Sequence, residues 1–277
     1  MDPYQPAPFP LARPRRLRTS PWVRRLVAET VLTPSDLIWP IIVHDGPEDR
    51  VAVPSMPGVF RLSPKAAAQA AVEARDLGIP MLALFPNVDA SIKDGVGSGA
   101  TDPDGLIPDC IKAIKDAAPE IGVMCDVALD CYTDHGHDGV LEGQRIANDA
   151  TLERLAEQAF IQAHAGADVV APSDMMDGRV QAIREALEAN GFQDTLILSY
   201  AAKFASAFYG PYRDAVGSAR MLTGDKKTYQ MDYANSDEAL KEVAMDLSEG
   251  ADAVMVKPGM PYLDIVRRVS ETFKVPT

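Results

Sequence analysis

The sequence predicts an α/β fold made by repeating one unit, a helix that runs into a short apolar strand. Two observations carry this: the unit recurs along the 277 residues, and the connections are short on one side of it and long on the other. Residues 63–78, SPKAAAQAAVEARDLG, read as a helix with Ser63 as N-cap, Pro64 at its first position and Gly78 past its end. The apolar run IPMLALFP follows at once. The same order returns as CIKAIKDAAPEIG then VMCDVAL, TLERLAEQAFIQAHAG then ADVVAPSD, VQAIREALEANG then TLILSYAAK, and SDEALKEVAMDLSEG then ADAVMVKPG. LIWPIIVHD adds an earlier strand with no long helix before it, giving six. The runs are continuous rather than alternating, as in a parallel sheet covered on both faces.

Helix-to-strand connections take about two to five residues, whereas the strand-to-helix segments cover about 87–106, 128–150 and 204–235. Long insertions on one side point to a TIM (β/α)8 barrel, whose site is assembled from the βα loops. A doubly wound nucleotide-binding sheet would want a glycine fingerprint after the first strand, and HDGPEDRV is not one. GVGSGAT, 95–101, opens no helix directly and reads as a mobile loop.

The 47% hydrophobic and 24% charged residues are those of a soluble globular protein, and no apolar run approaches the ~18 residues of a membrane span. The N-terminus lacks the apolar core of a secretory signal. Cys110, Cys125 and Cys131 have no disulfide-framework spacing, so the expected setting is reducing and cytoplasmic. Residues 1–25 carry six arginines against Asp2, which leaves −18 on the rest of a chain whose net charge is −13. So acidic a body argues against nucleic acid as partner. The basic, proline-rich arm suits the acidic surface of its own or a neighbouring subunit. The expected organisation is an arm over residues 1–33 and a barrel over 34–277.

Polar residues stand where the strands end. Asp126 closes the third strand, Ser173 and Asp174 follow the fourth, and Lys203 and Lys257 end the fifth and sixth. In a barrel these ends share one mouth. A lysine there can snorkel to the rim or pair with Asp126 or Asp174. Two lysines at equivalent ends, each desolvated and each a cation beside the other, favour a neutral amine and Schiff-base chemistry instead. The loop after Lys203 carries Arg213, Arg220, Lys226 and Lys227 and reads as a cationic lid over an anionic substrate, or as an ordinary solvated loop. The segment 126–139 offers Asp126, Asp130, Cys131, Asp134, His135, His137 and Asp138 but no CxxC pair, which argues against structural zinc and leaves a hard cation open.

DVALDCYTDHGHDG, APSDMMDGR, SYAAKFASAFYGPYRDA, KKTYQMD and MVKPGMPYLDIVR together resemble the porphobilinogen synthase (5-aminolevulinate dehydratase) family, from the RPRRLR arm to the last residue. The resemblance implies condensation of two 5-aminolevulinate molecules to porphobilinogen with loss of two waters, in tetrapyrrole biosynthesis. It implies a homo-oligomer, usually an octamer, with a hexamer as the other form. Carried over by motif, Lys257 forms the Schiff base with the first substrate and Lys203 holds the second. Arg213, Lys226 and Gln230 grip the second substrate's carboxylate, while Asp126, Ser173 and Asp174 line the pocket and help proton transfer.

Two departures from the family pattern stand out. Where zinc-dependent members carry three cysteines, this chain has Ala128, Asp130 and Asp138. That argues against catalytic zinc and leaves Mg2+, a monovalent ion or no active-site metal. The resemblance further implies an allosteric Mg2+ at Glu242, in EALKEVA, which otherwise reads as an exposed helix carboxylate. Secondly, FKVPT leads towards a seventh strand where a closed barrel needs two more βα units, roughly 50 residues. A longer parent chain is therefore expected, its remainder supplying the serine and tyrosine that bind the first substrate's carboxylate in the family. A single-lysine aldolase-type barrel leaves the second lysine unexplained, and an inactive oligomeric barrel is the non-enzymatic alternative.

Overall fold

The computed structural model describes residues 7–218 and 221–277. After the short helix α1 (Pro21–Leu26) the chain forms β1 (Ile38–His44), β2 (Arg50–Ala52), β3 (Phe60–Leu62), α2 (Pro64–Leu77), β4 (Met81–Asn87) and α3 (Leu106–Ala117). Then come β5 (Gly122–Val127), β6 (Leu141–Glu142), β7 (Arg145–Ile146), α4 (Asn148–Ala165), β8 (Val169–Pro172), α5 (Arg179–Ala189) and β9 (Leu196–Lys203). The chain continues with α6 (Gly210–Ala215), α7 (Ser236–Ser248), β10 (Ala253–Lys257) and α8 (Leu263–Phe273).

The six expected strands lie side by side in chain order, β1-β4-β5-β8-β9-β10, and every neighbouring pair is parallel. Sequential parallel neighbours with a helix between them are the winding of a (β/α) barrel, not of a doubly wound sheet. The sheet is open among the described residues: β10 is one edge, and the backbone N–H of Val254 there donates to the carbonyl of Pro276 at 3.0 Å.

Local chemistry sets the elements. The Ser63 hydroxyl accepts the Ala66 N–H at 3.2 Å and Gly78 ends α2 in the left-handed region at φ 77°. Ala66, Ala67, Ala70, Ala71 and Ala74 are buried, so this helix approaches the sheet closely through small side chains. A second apolar layer joins β5, β8 and β9 to α4 and α5 around Leu155, Ile183 and Leu187, and a third joins β9 and β10 to α7 and α8.

Two features depart from expectation. An antiparallel hairpin, β2–β3, follows β1 and extends the sheet beyond it, with β3 parallel to β1. Its strands are three residues each, too short for a periodicity to register. The stretch 95–101 is not a free loop either: Asp94 accepts the N–H groups of Val96 and Ser98, both at 3.0 Å, and Ala100 is buried. In the arm no residue from 7 to 37 is buried, and Phe9, Leu11, Leu17, Trp22 and Leu26 are exposed.

Candidate active site

Lys203 and Lys257 occupy the last positions of β9 and β10 and are register partners. The pairing is set by a bulge: Val254 pairs with Ser199 but Val256 with Ala202, so β9 holds one extra residue. Tyr200 and Lys203, three apart, therefore share the inner face. Ser199 turns to the helix layer and donates to Asp246 at 2.6 Å.

The Lys257 ammonium is ringed by Tyr200 and Tyr212, each 4.8 Å from it, by Phe85 at 5.7 Å and by Tyr209 at 5.8 Å. Burial there, with the Lys203 charge next in weight, pulls its pKa down to about 8 despite Asp126, Asp130 and Asp138. Lys203 is buried, donates to the carbonyl of Ser173 and lies 3.8 Å from Asp138. The two amines thus differ in surroundings, one held by oxygens and one by aromatic faces.

The carboxylates are arranged around a third lysine. Lys226 reaches down from the loop after β9 and lies 2.9 Å from both Asp130 and Asp138. Burial works against its charge, but the two carboxylates outweigh burial and raise its pKa. Burial likewise opposes the Asp138 charge, and Lys226 and Lys203 hold its carboxyl below the ordinary range. Burial lifts Asp126 to about 6, with Lys203 opposing. Asp174, lifted by burial to about 7 with Arg179 opposing, turns away from the lysines: it accepts the Met176 N–H at 2.7 Å and lies 3.8 Å from Arg179.

These groups enclose a cavity of about 20 Å³, room for roughly one water. Of the residues expected from the sequence, Lys203, Lys257, Ser173, Arg213, Lys226 and Gln230 line it. Asp126 is buried, off the lining but within electrostatic reach of both lysines. Asp174 does not line it either, a correction with a clear cause: Arg179 draws its side chain into the helix layer. Asp130 and Asp138 do line it, though in the sequence they stood out only as metal candidates. Tyr209 and Tyr212 were missed; their one signal was their place beside Arg213 in AFYGPYRD.

The loop 204–235 is seated on the segment 126–139 through close backbone contacts. His137 Nε2 donates to the Thr223 carbonyl at 2.8 Å, and the Tyr229 hydroxyl is 3.1 Å from His137 Nδ1. Gly136 has φ 72°, and a Cβ there would meet the Leu222 backbone nitrogen at 2.8 Å. Lys227 faces solvent beside Asp225, and Arg220 lies outside the described residues.

Among the described residues no three His, Cys, Asp or Glu side chains gather as a metal cage. Cys110, Cys125 and Cys131 are buried free thiols whose pKa values burial raises, Cys110 to about 12. Glu242, on α7, is half-buried rather than exposed, beside a groove of about 620 Å³ that Asp177 and Glu238 share. Burial raises its pKa, Arg179 opposes, and Asp246, Asp177 and Glu238 add to the rise.

The family model described as Delta-aminolevulinic acid dehydratase matches residues 11–277. The chain is 59% identical over 265 residues to the delta-aminolevulinic acid dehydratase of Bradyrhizobium diazoefficiens, covering 96% of this chain and 75% of that protein. It is 53% identical over 270 residues to that of Rhodobacter capsulatus, covering 98% and 81%. Among solved structures, the delta-aminolevulinic acid dehydratase (porphobilinogen synthase) of Toxoplasma gondii, in complex with the reaction product porphobilinogen, superposes with a TM-score of 0.93 at 51% identity. The match covers 99% of this chain and 76% of that one.

Proposed function

The chain belongs to the delta-aminolevulinic acid dehydratase (porphobilinogen synthase) family of hydro-lyases, and we propose that its paired lysines condense two 5-aminolevulinate molecules to porphobilinogen. The observation that carries the reading is the register pairing of Lys203 with Lys257, one amine tuned to about 8. Uncharged, Lys257 adds to the ketone of the first substrate, and loss of water leaves a protonated imine that the aromatic rings shield from solvent. Lys203 takes the ketone of the second substrate in the same way. The two substrates are then joined by one C–C and one C–N bond, both amines are released, and two waters leave overall. Held on neighbouring strands, the two reactants meet intramolecularly.

Asp126, with a pKa lifted by burial to about 6 and within electrostatic reach of both lysines, supports a proton-transfer role near neutrality exerted through them. Ser173 fixes Lys203 through its carbonyl and lines the cavity. Asp174 acts from behind this wall, through its hold on the turn after β8. Arg213, Lys226 and Gln230 descend with the loop 204–235 on the second substrate's carboxylate. Lys226 must exchange Asp130 and Asp138 for that carboxylate, and a cavity of about 20 Å³ must widen as the loop lifts.

Catalytic zinc does not fit these donors: the residues at the cysteine positions are Ala128 and two carboxylates already paired with Lys226. Glu242 does fit Mg2+, which keeps most of its waters and takes one or two carboxylates, here among mutually repelling acids. Bound there, Mg2+ would supply charge neutralisation on α7. The basic arm over 1–33, which exposes Phe9, Leu11, Leu17, Trp22 and Leu26 among its described residues, is proposed to pack on a neighbouring copy in a homo-oligomer, octamer or hexamer, and the buried free thiols suit the cytoplasm.

Sodium borohydride added with 5-aminolevulinate is expected to leave a covalent adduct on Lys257, and colorimetric assay to show porphobilinogen. An adduct on other residues alone, or full activity in Lys257→Ala, would overturn the reading.

A further inference from the structure

Arg179, the first residue of α5, is 2% exposed, and all its partners are internal. Its guanidinium grips Asp246 of α7 with two bonds of 2.8 and 2.9 Å. Ser199 of β9 completes the clasp, accepting from Arg179 at 3.2 Å and donating to Asp246 at 2.6 Å. The same two terminal nitrogens also donate to the Met176 carbonyl at 3.4 Å and to the Met175 sulfur at 3.7 Å, while Nε faces Asp174 at 3.8 Å. Arg179 thus holds the turn that follows β8. That turn is unusual: Met175 has φ 68°, a region that side chains other than glycine rarely adopt, and Asp174 folds back on the Met176 N–H. The residue just before it, Ser173, presents the carbonyl that receives the Lys203 amine.

A buried ion pair is a poor source of stability compared with apolar residues of similar size. A cation at a helix N-terminus also opposes the helix dipole. Both features fit a pair whose gain is geometric. We propose that Arg179 and Asp246 are positioning residues that hold the 173–176 turn in its left-handed form and so place Lys203, a proposal that rests on the condensation chemistry above. Without the pair Met175 relaxes to ordinary backbone geometry, the Ser173 carbonyl swings, and Lys203 loses its fixed position beside Lys257. Arginine is required because only a planar fork meets Asp246 twice while still donating to Met176.

The test is the charge-free double variant Arg179→Met/Asp246→Leu, which removes both buried charges at once. Expected are the parent's Tm, a kcat lower by roughly 10- to 100-fold, undiminished borohydride labelling of Lys257, and labelling of Lys203 that falls with kcat. Arg179→Lys is expected not to rescue. Parent kcat in a double variant with parent Tm would overturn the proposal. If the double variant does not fold, Ser199→Ala replaces it: a several-fold loss of kcat at unchanged Tm supports the proposal, and unchanged kcat overturns it. Failure of the parent itself to form porphobilinogen or label at Lys257 would instead remove the underlying chemistry, and this proposal with it.

Discussion

Lys203 and Lys257 sit directly across from one another at the ends of two adjacent parallel strands, so the charge on one acts on the protonation of the other. With its pKa lowered to about 8, the uncharged form of Lys257 grows with pH and levels off above that value. Labelling of Lys257 by 5-aminolevulinate and cyanoborohydride is therefore expected to rise from pH 6 through a midpoint near pH 8 and to flatten only about one pH unit above it. Lys203→Met removes the neighbouring cation, and the rising limb is expected to move to higher pH. A limb that stays in place would mean that burial alone sets the shift.

Lys226 gives a stability prediction. Lys226→Met leaves Asp130 buried without its counter-ion and Asp138 with Lys203 alone at 3.8 Å, a loss of about 3–5 kcal/mol by the usual magnitude for a broken buried pair. Urea unfolding is expected to show it. Asp130→Asn in the same background, which removes the stranded charge, is expected to recover part of the loss.

Metal dependence should follow the donor sets. After EDTA treatment, Zn2+ is expected to add no activity. Mg2+ is expected to raise activity through Glu242, with the response absent in Glu242→Gln. Loss with EDTA and rescue by Zn2+ alone would contradict the assignment of the Asp130–Asp138 pair to Lys226.

Gly136 separates loop seating from chemistry. Gly136→Ala places a methyl group against the Leu222 backbone at a position of positive φ, so the loop 204–235 can no longer rest on the segment 126–139. The expected result is faster proteolysis within 204–235 and a higher KM, with Lys257 still labelled at saturating substrate. Proteolysis at the parent's rate would refute the contact.

Much of this architecture was legible because its signals are local. Continuous apolar runs, Ser63 and Gly78 as helix boundaries, and polar residues at strand ends each lie within a few positions of what they determine. The site was harder to read wherever a partner comes from far along the chain. Lys226 looked free for substrate, but its carboxylates lie 96 and 88 positions earlier. Asp174 looked like a pocket residue because the sequence does not reveal that Arg179, five positions on, turns inward under a clasp from α7. The aromatic enclosure of Lys257 is drawn from β4, β9 and the loop after β9, and no local pattern joins Phe85 to Tyr212.

The extra residue in β9 makes the length of the 199–203 stretch as decisive as its composition. Loss of any one residue there would restore regular alternation, turning either Ser199 from the helix layer or Lys203 from the cavity. The strand would still pair and still be apolar, so the protein could fold and remain catalytically silent. The stretch can thus exchange one side chain for another without disturbing the pairing, whereas an insertion or deletion would move Lys203 out of register with Lys257.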